Sequence, residues 1–259
     1  MNETDTIDRS GLIALIKEYG GVDSYTTTQA ATILKEIFRL TAGLGLNPES
    51  REGFAEGVRR IFRFEFLNRE NYEKGKYVFV PNHVSEFDGL LFGTIIPNML
   101  VVAKSDWGAN PHLNAFVEKL FPLACVKRTD KASGLHVLRS CIEHLNSGAD
   151  RAVTVFVQQT IADIDITTSG DIATGVYHIA RKTEARLIPV YCEQVSVEVP
   201  TRIVFGSPIS CPDKDAFGEA WLKSELALRA SLSEPPARPP VLCEKHQKPI
   251  SERDFRPGE

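Results

Sequence analysis

The sequence predicts an α/β protein with a largely parallel sheet flanked by helices and a helical region at its N-terminus. Three observations carry this. Short runs of β-formers recur along the chain, with Tyr77–Pro81, Met99–Lys104, Arg151–Val157 and Leu187–Tyr191 the clearest. Segments with apolar residues at helical spacing separate most of them, the alternation that builds a parallel sheet. Before Phe62 the apolar residues recur only at helical spacing. Residues 1–61 therefore read as an N-terminal helical region, 62–232 as the α/β domain, and 233–259, where six prolines lie among charges, as a tail.

The elements follow in order. Leu12, Ile13, Leu15 and Ile16 form a short apolar cluster; Ile33, Leu34, Ile37 and Phe38 mark a second helix behind Thr26-Thr27-Thr28. Asn47-Pro48 reads as an N-cap with proline in the first turn of a third helix, whose face is Phe54, Val58, Ile61 and Phe62. That helix is either a lid packed on the main domain, with Arg59, Arg60 and Arg63 in solvent, or an interfacial helix resting on anionic lipid. Phe62, Phe64 and Phe66 alternate as a strand. Past Tyr77–Pro81, helices are expected after Asp88, at Pro111 and behind an Asp130 cap, the last with Leu135, Leu138, Ile142 and Leu145 on one face. Leu123–Lys127 and Arg202–Phe205 are further strands. Helices at Ile172–Ala180 and from Pro212, with Phe217, Trp221, Leu222 and Leu226, complete the domain.

Composition narrows the function. A formal charge of -4 in 259 residues gives no reason to expect nucleic acid as a partner. The five cysteines form no Cys-x-x-Cys pair, which fits a reducing compartment. The polar start, MNETDTIDRSG, is not a secretory signal, and the longest apolar run, Gly89–Ala103, is broken by Pro97 and Asn98. A cytoplasmic protein, at most peripheral on the inner face of a membrane, is expected.

The chemistry centres on Pro81-Asn82-His83-Val84-Ser85-Glu86-Phe87-Asp88. On a continuous helix, His83 and Asp88 would sit about 140° apart. A strand that ends at Asn82 and turns into a helix near Asp88 can instead bring imidazole and carboxylate together. Such a pair fixes one tautomer and raises the basicity of the free nitrogen. No serine lies in a nucleophile elbow and no second histidine at metal spacing, so no metal is expected. The alternative for His83 is a strand-end residue that only caps the next helix. Cys125, inside an apolar strand with no adjacent histidine in sequence, reads as a buried structural cysteine rather than a nucleophile.

Asn82-His83, four residues, and Asp88 resemble the first motif of the glycerolipid acyltransferases, the family that contains 1-acylglycerol-3-phosphate acyltransferase. Cys125-Val126-Lys127-Arg128 resembles the second, with Arg128 where that family contacts the acceptor phosphate; pairing with Asp130 is the structural alternative. Lys104 also stands where the family often carries a lysine. Leu187-Ile188-Pro189-Val190 resembles the fourth. The third departs: Phe156-Val157-Gln158-Gln159-Thr160-Ile161-Ala162 stands in place of Phe-Pro-Glu-Gly-Thr-Arg-Ser. Gln158 can hydrogen-bond a hydroxyl in both directions but cannot act as a base. Loss of the glycine puts a side chain where backbone could approach a ligand.

The resemblance implies a glycerol-phosphate-acyltransferase-like fold and an O-acyltransferase. His83 and Asp88 would be catalytic, with Asn82, Lys104, Arg128, Gln158 and Thr160 binding substrate. The donor would be acyl-CoA or acyl carrier protein, as co-substrate and without a further cofactor. The acceptor would be a hydroxyl, and only secondarily an amine, of a lysophospholipid-like or specialised lipid or small molecule, at or near a membrane surface. Backbone N–H groups at the start of the helix following His83 are candidates for the oxyanion. A non-catalytic lipid-binding relative and a thioester hydrolase are the alternatives.

Overall fold

The computed structural model describes residues 7–18, 27–72, 74–85, 88–105, 111–127, 130–159, 164, 167–193, 195–211 and 213–232. Its strands are β1 (Phe64–Leu67), β2 (Lys76–Pro81), β3 (Met99–Lys104), β4 (Leu123–Val126), β5 (Arg151–Thr154), β6 (Arg186–Cys192) and β7 (Thr201–Phe205). They form one sheet in the order β1-β7-β6-β2-β5-β3-β4, parallel throughout except for β6 against β7. The expected class holds: a largely parallel sheet flanked by helices.

β2 is the central strand, and Tyr77 to Pro81 are all buried, which is why that run lacks alternation. Tyr77 and Phe79 join Met99, Val101, Ile188 and Val190 in one apolar layer. Helices α1 (Ser10–Glu18), α2 (Thr27–Gly43), α3 (Arg51–Ile61), α4 (Asp88–Ile95) and α5 (Pro111–Leu120) cover that layer. Val78 and Val80 join Leu100, Val153 and Leu187 in the other, covered by α6 (Lys131–Asn146), α7 (Gly175–Thr183) and α8 (Phe217–Ser231).

The N-terminal helices are part of the first layer. Phe54, Gly57, Val58 and Ile61 of α3 are buried. At Gly57 the α2 crossing is so close that an added Cβ would lie 2.2 Å from Thr41 Oγ1. Arg51 Nε and Nη2 donate to Leu120 O and Ile96 O, each at 2.8 Å, so one guanidinium caps the ends of α4 and α5. Arg59 and Arg60 both bond Glu56, whose carboxyl is pulled down to about 2, chiefly by Arg59. Arg63 donates to the carbonyls of Val197 and Glu198. The apolar face of α3 is thus packed inside, as the lid reading expects, and its arginines have partners within the chain. Among the described residues no helix is long and apolar enough to cross a membrane.

Several boundaries differ from expectation. Ser50, not Asn47, caps α3, its Oγ accepting from Gly53 N; Asn47 instead holds the preceding turn through Glu49 N. The first strand starts at Phe64 because Phe62 caps α3 and Arg63 takes a left-handed φ of 49°. β5 stops at Thr154. Asp130 does cap α6, but the buried face there is Val137, Cys141 and Leu145, and Leu135 is 59% exposed. α7 begins at Gly175 rather than Ile172, and α8 at Phe217 rather than Pro212. The tail, 233–259, lies outside the described residues.

Candidate active site

The site grows from the C-terminal end of β2, the edge where open α/β sheets bind ligands. Trp221 of α8, fully buried, donates from Nε1 to Val80 O at 2.7 Å and anchors the strand end. One step on, Asn82 Nδ2 donates to Cys192 O at 2.9 Å and its Oδ1 accepts from Cys192 N at 2.7 Å. A side-chain amide thereby continues the β2–β6 ladder after the backbone has begun to leave it. Asn82 holds the turn and does not line the cavity described below.

The chain then wraps around one carboxylate oxygen. Asp88 Oδ2 accepts from Val84 N at 2.8 Å and Ser85 N at 2.9 Å, and lies 3.1 Å from His83 Nδ1. The expected convergence of His83 and Asp88 is therefore present. Its cause is a loop in which consecutive amides turn inward onto a residue that opens α4, where the helix dipole suits an anion. Asp88 takes the N–H groups of Val84 and Ser85, so those two amides face inward onto the carboxylate. Gly89 and Leu90, in the first turn of α4, line the cavity described below, so the start of the helix following His83 borders it.

His83 N donates to Gln158 Oε1 at 2.7 Å, and Gln158 Nε2 donates to Thr167 Oγ1 at 2.7 Å. Gln158 is fully buried and ties the His83 backbone to the segment after β5. On the ring itself, Phe156 packs at a tilt, centroids 4.5 Å apart and planes 32° apart. The imidazole is 8% exposed, with Nδ1 against Asp88, so Nε2 is the nitrogen left for proton transfer.

The ring borders a cavity of about 370 Å³. Pairing of β3 with β5 ends at Val101↔Thr154, while β3 runs on beside β4 to Lys104. Through the notch so left, the cavity touches both apolar layers: Leu90, Val101 and Phe121 from one, Val126, Val137, Cys141 and Val176 from the other. Its polar lining is His83, Lys104 and Gln159. Lys104 thus reaches the site as expected. Arg128 and Thr160 lie outside the described residues.

Gln159 and Phe156 carry more than the sequence reading gave them. Gln159 has φ 58°, a left-handed conformation costing about 1–3 kcal/mol at a non-glycine residue. A glutamine where related chains carry glycine was the available signal. The packing of Phe156 on His83 left no trace in spacing. Cys141, in the cavity wall, has its thiol pushed up to about 12 by burial, and burial raises Cys192 well above its ordinary value. Neither is a nucleophile in that state. Cys125 does not line the cavity, and no metal-binding cluster of three or more His, Cys, Asp or Glu occurs among the described residues.

A buried imidazole–carboxylate pair borders an apolar cavity on the ligand-binding edge of an α/β sheet, an arrangement that can accept a proton. A model of the acyltransferase family matches residues 63–193, about half of the chain and all of β1 to β6, and the protein belongs to that family. Among solved structures it is similar to the 1-acyl-sn-glycerophosphate (LPA) acyltransferase PlsC from Thermotoga maritima. That similarity has 16% identity and a TM-score of 0.48, over 88% of this chain and 90% of that one. No curated protein matches the chain.

Proposed function

We propose that the protein moves a fatty acyl group from acyl-CoA or acyl carrier protein to a hydroxyl of a lysophospholipid-like or specialised acceptor. The observation that carries this is the 3.1 Å approach of His83 Nδ1 to Asp88 Oδ2 at the wall of the apolar cavity. Asp88 keeps the proton on Nδ1, so Nε2 is the base. Nε2 takes the acceptor's hydroxyl proton as its oxygen bonds to the thioester carbonyl carbon. The tetrahedral intermediate then collapses, the C–S bond breaks, and the thiol leaves with the proton returned from Nε2. Amides at the start of α4 face the developing oxyanion, and the acyl chain occupies the cavity.

Lys104 and Arg128 supply positive charge for a substrate phosphate, which both donors carry on the phosphopantetheine arm. Thr160 also contacts substrate. Asn82 and Gln158 position the His83 turn through their bonds to Cys192, Thr167 and the His83 backbone. The protein works in the cytoplasm, at the inner face of a membrane that supplies its lipid substrate.

Thiol release from palmitoyl-CoA, followed over a panel of lipid alcohols with product mass, tests the reading. His83→Ala is expected to slow release by about 10²–10⁴-fold while melting at the wild-type temperature. Wild-type turnover in that variant would overturn the proposal. Free fatty acid formed at the same rate with and without acceptor would make water the acceptor and reassign the activity to hydrolysis.

A further inference from the structure

We propose that Gln159 is a specificity-determining residue, whose carboxamide hydrogen-bonds the acceptor beside the attacked hydroxyl and selects a neutral, polyhydroxylated acceptor over a phosphate monoester. The inference rests on the acyl-transfer reading above and adds the acceptor class. Five described non-glycine residues have positive φ: Arg63, Asn68, Asn98, Gln159 and Glu184. Four have a local reason. Arg63 and Glu184 terminate α3 and α7, where left-handed residues end helices. Asn68 and Asn98 are of the residue type that tolerates this region. Gln159 has neither excuse, and of the five it alone lines the cavity.

The backbone there is held from several sides. Gln159 N donates to Phe156 O at 3.0 Å, Ala173 N to Val157 O at 2.9 Å, and His83 N to the side chain of Gln158. Glycine would meet the same constraint without strain. A strained residue kept in place by its surroundings is a mark of function. Gln159 lines the cavity and is exposed, and what glutamine adds to glycine there is a side chain that ends in a carboxamide, on the residue after the one that holds His83. A carboxamide donates and accepts, as a hydroxyl does. A phosphate monoester only accepts, so it engages the carboxamide NH2 alone and leaves the carboxamide oxygen unpaired.

The test uses the full chain, palmitoyl-CoA, and two acceptor probes: a monoacylglycerol and a lysophosphatidate. The wild type is expected to favour the monoacylglycerol. Gln159→Gly should lower kcat/KM for the monoacylglycerol by about 10-fold, mainly through KM, with little change for lysophosphatidate. It should melt no lower than wild type, because the strain is gone. Gln159→Asn, which keeps a carboxamide and tolerates the backbone, should restore part of the preference. An unchanged ratio between the two acceptors in Gln159→Gly, or a wild-type preference for lysophosphatidate, overturns this proposal and leaves acyl transfer standing. Absence of thiol release from the wild type with every acceptor overturns both.

Discussion

At His83 a neighbour decides which ring nitrogen is engaged and which is free of that contact. Asp88 holds Nδ1 and also gathers the amides of Val84 and Ser85, so one carboxylate shapes the turn and sets the tautomer. Asp88→Asn keeps an acceptor for those amides but removes the charge that stabilises the imidazolium. Turnover in the thiol-release assay is expected to fall by about 10²–10⁴-fold, with a melting temperature close to wild type. The pairing itself could be read from the sequence, because an apolar strand, a polar turn and a carboxylate at helix start leave few other ways to fold. The role of Gln158 could not: its bonds to His83 N and Thr167 join segments far apart in the chain, and no local pattern encodes them.

Among the elements, the strands were the most legible, since each is a compact run of β-formers between polar turns. Helix faces were less so. Leu135 sits at the expected spacing, yet α6 meets the sheet through Val137, Cys141 and Leu145 and leaves that leucine in solvent. Spacing gives the width of an apolar stripe, and the partner surface selects its centre. The same limit applies to α3, whose two readings differed only in what covers the stripe. Its contact with α2 is testable: Gly57→Ala would place a methyl against the Thr41 side chain. Overpacking of that kind costs about 1–3 kcal/mol, and Thr41→Ser in addition should recover part of it. Equilibrium urea unfolding of the two variants measures both effects.

At the scale of the whole molecule, the buried residue with no sequence warning is Glu225. It lies on α8 behind β6, fully buried, and neither carboxyl oxygen has a hydrogen-bond partner among the described residues. Burial raises its pKa well above the ordinary 4.5, against a partial pull down from the Val190 backbone. Folding therefore favours the protonated form. That contribution is complete below the unfolded pKa and is lost as pH rises towards the folded one, by at most about 1.4 kcal/mol per pH unit. Glu225→Gln does not titrate, so its stability relative to wild type should increase as pH rises above the ordinary carboxylate range in urea melts.

The early end of β5 has a consequence of its own. Because the notch beside Val101 joins the two apolar layers, whatever oily tail fills it would serve as a removable plug for the interior. Loading and unloading would then make the fold alternately tighter and looser across both sides of the sheet. Substrate occupancy and resistance to unfolding would rise and fall together.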